Sequence, residues 1–209
     1  GMGGVGKTTI AKTILEILSY QFKDACFLAD AKQNAKRNQP HLLQNILLSE
    51  LLRNKDDYLN NKLDGKCMIS TRLCSMKVLI VLDDIDHSDH LEYLAADCCW
   101  FGDGSRVVIT TRNRQLIEND DSVYEVSTLP DDEAMLLFNQ HALKKKIPDE
   151  CCKSFSLKVV NHAKGLPLAL KVWGSLFHWK DLTQWRRIVD KIKEKSTSEI
   201  VEKLKISYD

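Results

Sequence analysis

Hydrophobic positions follow two different rhythms along this chain, and the change between them divides it. Lys7 to Phe22 places Ile10, Ile14, Ile17 and Leu18 at helical spacing with no Pro or Gly to interrupt it, which predicts a helix. Cys26-Phe27-Leu28-Ala29 is an apolar run of strand size, and the polar stretch from Asp30 to Pro40 predicts a connecting loop. Helical spacing returns at Leu42, Leu43, Ile46, Leu47, Leu51 and Leu52. Asn54 to Gly65 is charged and reads as turn-like, and a short helix is expected around Ile69 to Cys74. Val78-Leu79-Ile80-Val81-Leu82 is continuously apolar, the pattern of a strand buried on both faces of a helix-covered parallel sheet. Arg106 to Thr110, after the turn Gly102-Asp103-Gly104-Ser105, predicts another strand, and Val123 to Val126 a last short one. From Pro130 onward the period is helical: Asp132–Leu143, Cys152–Ala163, Leu168–Phe177, Leu182–Lys193 and Ser198–Ile206 read as a small bundle.

The expected class is therefore α/β, a parallel sheet with flanking helices over residues 1–129, followed by a helical bundle over 130–209. The first nine residues say what kind. Gly1-Met2-Gly3-Gly4-Val5-Gly6-Lys7-Thr8-Thr9 contains G-x-x-x-x-G-K-[ST] without a mismatch, the signature of a phosphate-binding loop and hence of a P-loop NTPase sheet. Gly1, Gly3, Gly4 and Gly6 free the backbone to adopt positive φ and pass close to a polyphosphate, so that successive N–H groups, including those of Val5 and Thr9, can point at its oxygens. The Lys7 ammonium can reach the β and γ phosphates, and the Thr8 hydroxyl can join the shell of a bridging Mg²⁺. The following helix aims its positive end at the same place. A glycine-rich turn before an ordinary helix is the plainer alternative; the register of Lys and Thr argues against it.

Two carboxylates, Asp83 and Asp84, follow the apolar strand at its C-terminal end, the edge where open α/β sheets bind ligands. Asp83 is expected to hold Mg²⁺ through water or through Thr8, and Asp84 to orient or deprotonate an attacking water. With Lys7 these are the candidate catalytic residues, and Thr8 and Asp83 the candidate metal residues. Arg112, also at a strand end, could sense a γ phosphate by bidentate bonding and so separate ATP from ADP. An arginine in a solvated loop is the alternative. Gly165 ends one helix and Pro167 starts the next, which a well-made helix boundary already explains.

Composition narrows the setting. With 44% hydrophobic residues in 209, the chain can build a real core. Thirty basic against 29 acidic residues, net +1, give no reason to expect nucleic-acid or membrane-surface binding. The chain shows neither a membrane-length apolar span nor a secretory leader pattern. Seven cysteines, with the adjacent pairs Cys98-Cys99 and Cys151-Cys152 but no C-x-x-C, fit a reducing compartment better than a disulfide framework or a structural zinc site. His87 and His90 could be imagined as metal ligands; exposed histidines at a helix start are the expected reading.

GMGGVGKTT, VLIVLDDID, GSRVVITTR, YEVSTLPDDEAMLLFNQHA and GLPLAL, in this order, resemble the NB-ARC domain of plant intracellular immune receptors across essentially the whole chain. Asp86, closing LDDID, resembles the subclass with an N-terminal Toll/interleukin receptor-like domain, since the coiled-coil subclass usually has tryptophan there. The resemblance implies a switch: ADP holds the receptor closed, exchange for ATP opens it and promotes oligomerisation, and slow hydrolysis resets it. Carried onto these residues, Gly1 to Thr9 is the phosphate loop, Asp83 the Mg²⁺ acid, Asp84 the hydrolysis candidate and Arg112 the γ-phosphate sensor, with Pro167 near the nucleotide. It also implies partners within the same receptor: the Toll/interleukin receptor-like domain, a winged helix and leucine-rich repeats, in the cytoplasm or nucleus. The family's hydrophobic strand before the loop does not appear ahead of Gly1, so an isolated chain of this extent is expected to be unstable or to aggregate. An ordinary P-loop ATPase or kinase, or a scaffold that has lost nucleotide binding, are the competing classes.

Overall fold

The computed structural model describes residues 2–29, 40–52, 62–95, 98–117, 122–143 and 150–193. The chain divides into two compact units, one of Lys7–Tyr124 and the other of Met2–Gly6 with Glu125 onward. Gly1, the loop residues 30–39, part of the segment expected to be turn-like and the helix expected at Ser198–Ile206 lie outside the described residues.

In the first unit a three-stranded parallel sheet has the order β1 (Asp24–Leu28), β2 (Val78–Ile85), β3 (Arg106–Thr111). Asp24 pairs with Val78 and Leu79 with Arg106, so β2 is central. Its apolar run is sealed as the pattern demands: Val78, Leu79, Ile80, Val81 and Leu82 are each at most 1% exposed. Val78, Ile80 and Leu82 join a core with Leu43, Leu47 and Leu51 of α2 (Pro40–Leu52) and Ile69 and Leu73 of α3 (Lys62–Leu73). Leu79 and Val81, alternating with them, turn to the other face of the sheet. α1 (Lys7–Leu18) packs on β2, giving way to a 3₁₀ turn at Ser19–Gln21 before the full expected helix length.

Three expectations are corrected here. The helix expected at Ile69 to Cys74 begins at Lys62, so Lys62–Gly65 is helical rather than turn-like. Gly65 is there for packing, because a Cβ would overlap the Gln44 amide, which is fully buried and donates to Tyr93 O at 2.9 Å. Val123 to Val126 forms no strand. A strand exists through its ladder, and this segment pairs with none among the described residues; Val123 and Tyr124 are exposed. His87 and His90 are not both solvent-facing. His87 caps α4 (Ser88–Leu94), accepting the Asp89 N–H at 3.3 Å, whereas the His90 side chain is only 12% exposed.

The second unit is helical: α5 (Asp131–Leu143), α6 (Glu150–Ala163), α7 (Pro167–Phe177) and α8 (Leu182–Lys193). Phe138, Trp173 and Phe177 are fully buried at its centre. Phe177 meets Trp185 edge-on at 4.8 Å, and the Trp185 indole donates to Phe177 O at 3.1 Å, which satisfies that donor, whereas the buried Trp173 indole N–H finds no partner among the described residues. Gly165, at φ +67°, turns the chain between α6 and α7, and its carbonyl accepts the Leu129 N–H at 2.9 Å.

Candidate functional site

Lys7 and Thr8 open α1 in the first unit, with Thr9 exposed beside them. The Thr8 hydroxyl lies 2.9 Å from both carboxylate oxygens of Asp83, so one donor proton serves two acceptors. Asp83 itself is only 4% exposed. The candidate metal residues thus meet although 75 positions separate them.

Both acids lie inside β2 rather than beyond it, and they interrupt its ladder. Leu82 pairs with Ile109 and Ile85 with Thr111, which leaves Asp83 and Asp84 opposite the single residue Thr110. This is a β-bulge. Asp84 takes the extra position with φ +54°, a left-handed conformation that aspartate tolerates better than most residues. Thr110, 8% exposed, donates to Asp83 Oδ1 at 2.6 Å and accepts the Asp84 N–H at 2.9 Å.

Arg112 follows directly on the last residue of β3, two positions after Thr110. Its Nε donates to Asp84 Oδ1 at 3.1 Å, with half of the arginine side chain exposed. The end of the strand is held by a local turn in which Thr111 Oγ1 accepts the Asn113 N–H at 3.0 Å and Asn113 Oδ1 that of Gln115 at 3.1 Å. The sensor and hydrolysis candidates are therefore paired with each other.

The glycine loop belongs to the second unit. Gly4 and Gly6 adopt φ +79° and +100°, the conformations for which the loop's glycines are required. Gly3 is half-buried, and Val5, 4% exposed, is packed into the helical core. The Leu168 N–H donates to Gly4 O at 3.2 Å, and a Cβ on Gly4 would come within 2.9 Å of Leu168 Cβ. Pro167 occupies the first turn of α7, one residue from that contact.

Thr110 and Leu168 are not among the residues that the sequence motifs point to. Thr110 has a readable signal, a hydroxyl residue directly after the apolar run Val107-Val108-Ile109 and spaced by two from Arg112; Leu168 in GLPLAL looks like any core leucine. The donor set suits a hard cation: among the described residues the partners of the buried Asp83 carboxylate are two hydroxyls, neither of them charged. Thr8 and Asp83 would hold Mg²⁺, which supplies neutralisation of phosphate charge when bound.

The NB-ARC domain family model matches residues 1–148. The chain belongs to the NB-ARC family. Membership implies nucleotide binding, in keeping with the loop of Gly4, Gly6, Lys7 and Thr8. The NB-ARC chain is 59% identical over its whole length to TMV resistance protein N of Nicotiana glutinosa, and spans 19% of that protein. It is 40% identical to Disease resistance protein RUN1 of Vitis rotundifolia and 35% to Disease resistance-like protein DSC1 of Arabidopsis thaliana, again over all of its own length, and spans 16% and 17% of them. Among the described residues of the NB-ARC chain no helix is long and apolar enough to cross a membrane.

Proposed function

We propose that the chain is the ADP/ATP switch of a plant immune receptor, closed with ADP and open with ATP, acting in defence signalling from the cytoplasm or nucleus. The observation that carries the reading is the pair of hydrogen bonds from Thr8 to Asp83, which couples the phosphate loop's helix to the strand-end acid a Mg²⁺-nucleotide requires. Names of the relatives that describe disease resistance support the defence role. Lys7 and the loop from Gly1 to Thr9 would bind the phosphates, Arg112 would read the γ phosphate, and Pro167 would lie near the nucleotide. Residues 1–129 would form the nucleotide-binding part and 130–209 the helical part of the module.

Hydrolysis is proposed to be slow. Asp84 is the only acid beside the metal residue on this bulge, its side chain is short for reaching a water, and Arg112 already engages it. The partners would be the remaining domains of a Toll/interleukin receptor-like receptor and, on activation, further copies of it. The test is to purify the full-length protein as wild type and Lys7→Ala and quantify the bound nucleotide. ADP that accompanies the wild type and is missing from the variant supports the switch; two folded proteins that neither carry nor take up ADP or ATP would leave a scaffold without nucleotide.

A further inference from the structure

Resting on the nucleotide reading above, we infer that Thr110 is the positioning residue of the two acids: its hydroxyl sets the orientation of the Asp83 carboxylate toward a divalent cation and holds Asp84 in its bulged position.

The bulge makes this possible. Two residues of β2 face one of β3, so a single side chain can address both. A regular ladder would give each acid its own partner. The residues before Thr110 on β3 are Val107, Val108 and Ile109, and a valine would fit the strand's shape at 110 equally well. The hydroxyl therefore needs a reason. It is buried, and both of its hydrogen bonds end on the acids: it donates to Asp83 Oδ1 at 2.6 Å and accepts from Asp84 N at 2.9 Å. The backbone at Asp84, at φ +54°, is thereby tied to the same atom that orients Asp83. Thr8 approaches both oxygens of that carboxylate, whereas Thr110 approaches Oδ1 alone. Only Thr110 distinguishes the two oxygens. Fixing one of them determines where the other points, which is what an outer partner of a metal-binding carboxylate does. Thr110 is a ligand of neither nucleotide nor cation; it acts through Asp83.

The experiment uses the full-length protein with a fluorescent ATP analogue titrated at a series of Mg²⁺ concentrations and in EDTA. Thr110→Val removes the hydroxyl and keeps the shape, Thr110→Ala removes both, and Thr110→Ser restores the hydroxyl. The expected result is that Val and Ala raise the Mg²⁺ concentration for half-maximal ATP binding about tenfold or more. Ser stays near the wild type, and analogue binding in EDTA is unchanged in all of them. A merely structural role would lower the melting temperature in EDTA and move metal-free binding as well, without rescue by Ser. A folded Val or Ala variant with the wild-type Mg²⁺ midpoint overturns the assignment while leaving the nucleotide reading intact. A wild type that binds no analogue under any condition overturns that reading and the assignment with it.

Discussion

Thr8 Oγ1 lies 2.9 Å from each carboxylate oxygen of Asp83, joining the first turn of α1 to the interior of β2. Thr8→Val keeps the β-branch and removes the hydroxyl that both the acid and a Mg²⁺ would use. Mg²⁺-dependent nucleotide affinity is expected to fall about ten- to a hundredfold. Stability should fall by about 1–3 kcal/mol, because the hydroxyl is a hydrogen-bond partner of a carboxylate only 4% exposed. Calorimetric titration with and without Mg²⁺, beside thermal melts, separates the two; equal losses of affinity in both conditions would count against a metal role for Thr8.

Arg112 and Asp84 form a half-exposed ion pair through one guanidinium nitrogen, worth no more than about 1 kcal/mol of stability. Arg112→Ala should therefore leave the melting temperature nearly unchanged and weaken ATP about tenfold relative to ADP. Arg112→Lys should rescue little, since a lysine lacks the planar fork. Competition binding of ATP against ADP checks this, and identical losses for both nucleotides would remove Arg112 from the sensing role.

Gly165 and Gly6 both need positive φ, but their surroundings differ. A Cβ at Gly165 would overlap Leu129 O, whereas a Cβ at Gly6, at φ +100°, meets nothing within 4 Å. Gly165→Ala should cost about 2–4 kcal/mol, combining backbone strain with displacement of the Leu129 carbonyl, and Gly6→Ala about 1–2 kcal/mol from strain alone. Urea unfolding of the full-length proteins orders the two. A Gly6→Ala variant as damaged as Gly165→Ala would show that the clash, as drawn, does not matter.

Burial holds the His90 imidazole below its ordinary value of 6.5, with Asp86, at 3.7 Å, and Asp89 opposing the shift and His87 reinforcing it. The folded protein then binds fewer protons than the unfolded chain once the pH falls through that range. Stability is fully present above about pH 6.5 and declines below it, until the depressed folded value is reached. His141 is lowered in the same direction by burial and then by Lys171. The unfolding free energy should accordingly decrease from pH 7.5 to 5.5, and His90→Gln should flatten part of that slope. Denaturant melts across the range test it; an unaltered slope in the variant would exclude His90 as a contributor.

Much of this protein is determined by its sequence read locally. The ordered loop of Gly4, Gly6, Lys7 and Thr8, the continuous apolar run of β2 and the helical periods of α5 to α8 are near-neighbour patterns, and spacing alone expresses their physics. The sealed core of Val78 to Leu82 follows from the same pattern, because a strand without polar alternation has no face to give to water.

Tertiary structure decided the rest, in each case through a partner distant in sequence. Val123 to Val126 has strand-like residues but no ladder, and pairing is not a property of a segment by itself. His90 resembles a surface residue in sequence until its neighbours bury it. Asp83 and Asp84 read as two acids after a strand, yet the register of β2 against β3 puts both of them opposite Thr110 and turns Asp84 into the left-handed region. Gly4 is a loop residue in any local reading; that Leu168 packs against it depends on a helix 164 positions further on. Spacing along the chain limits which side chains can share a face, but burial and hydrogen bonding depend on what the fold brings opposite them.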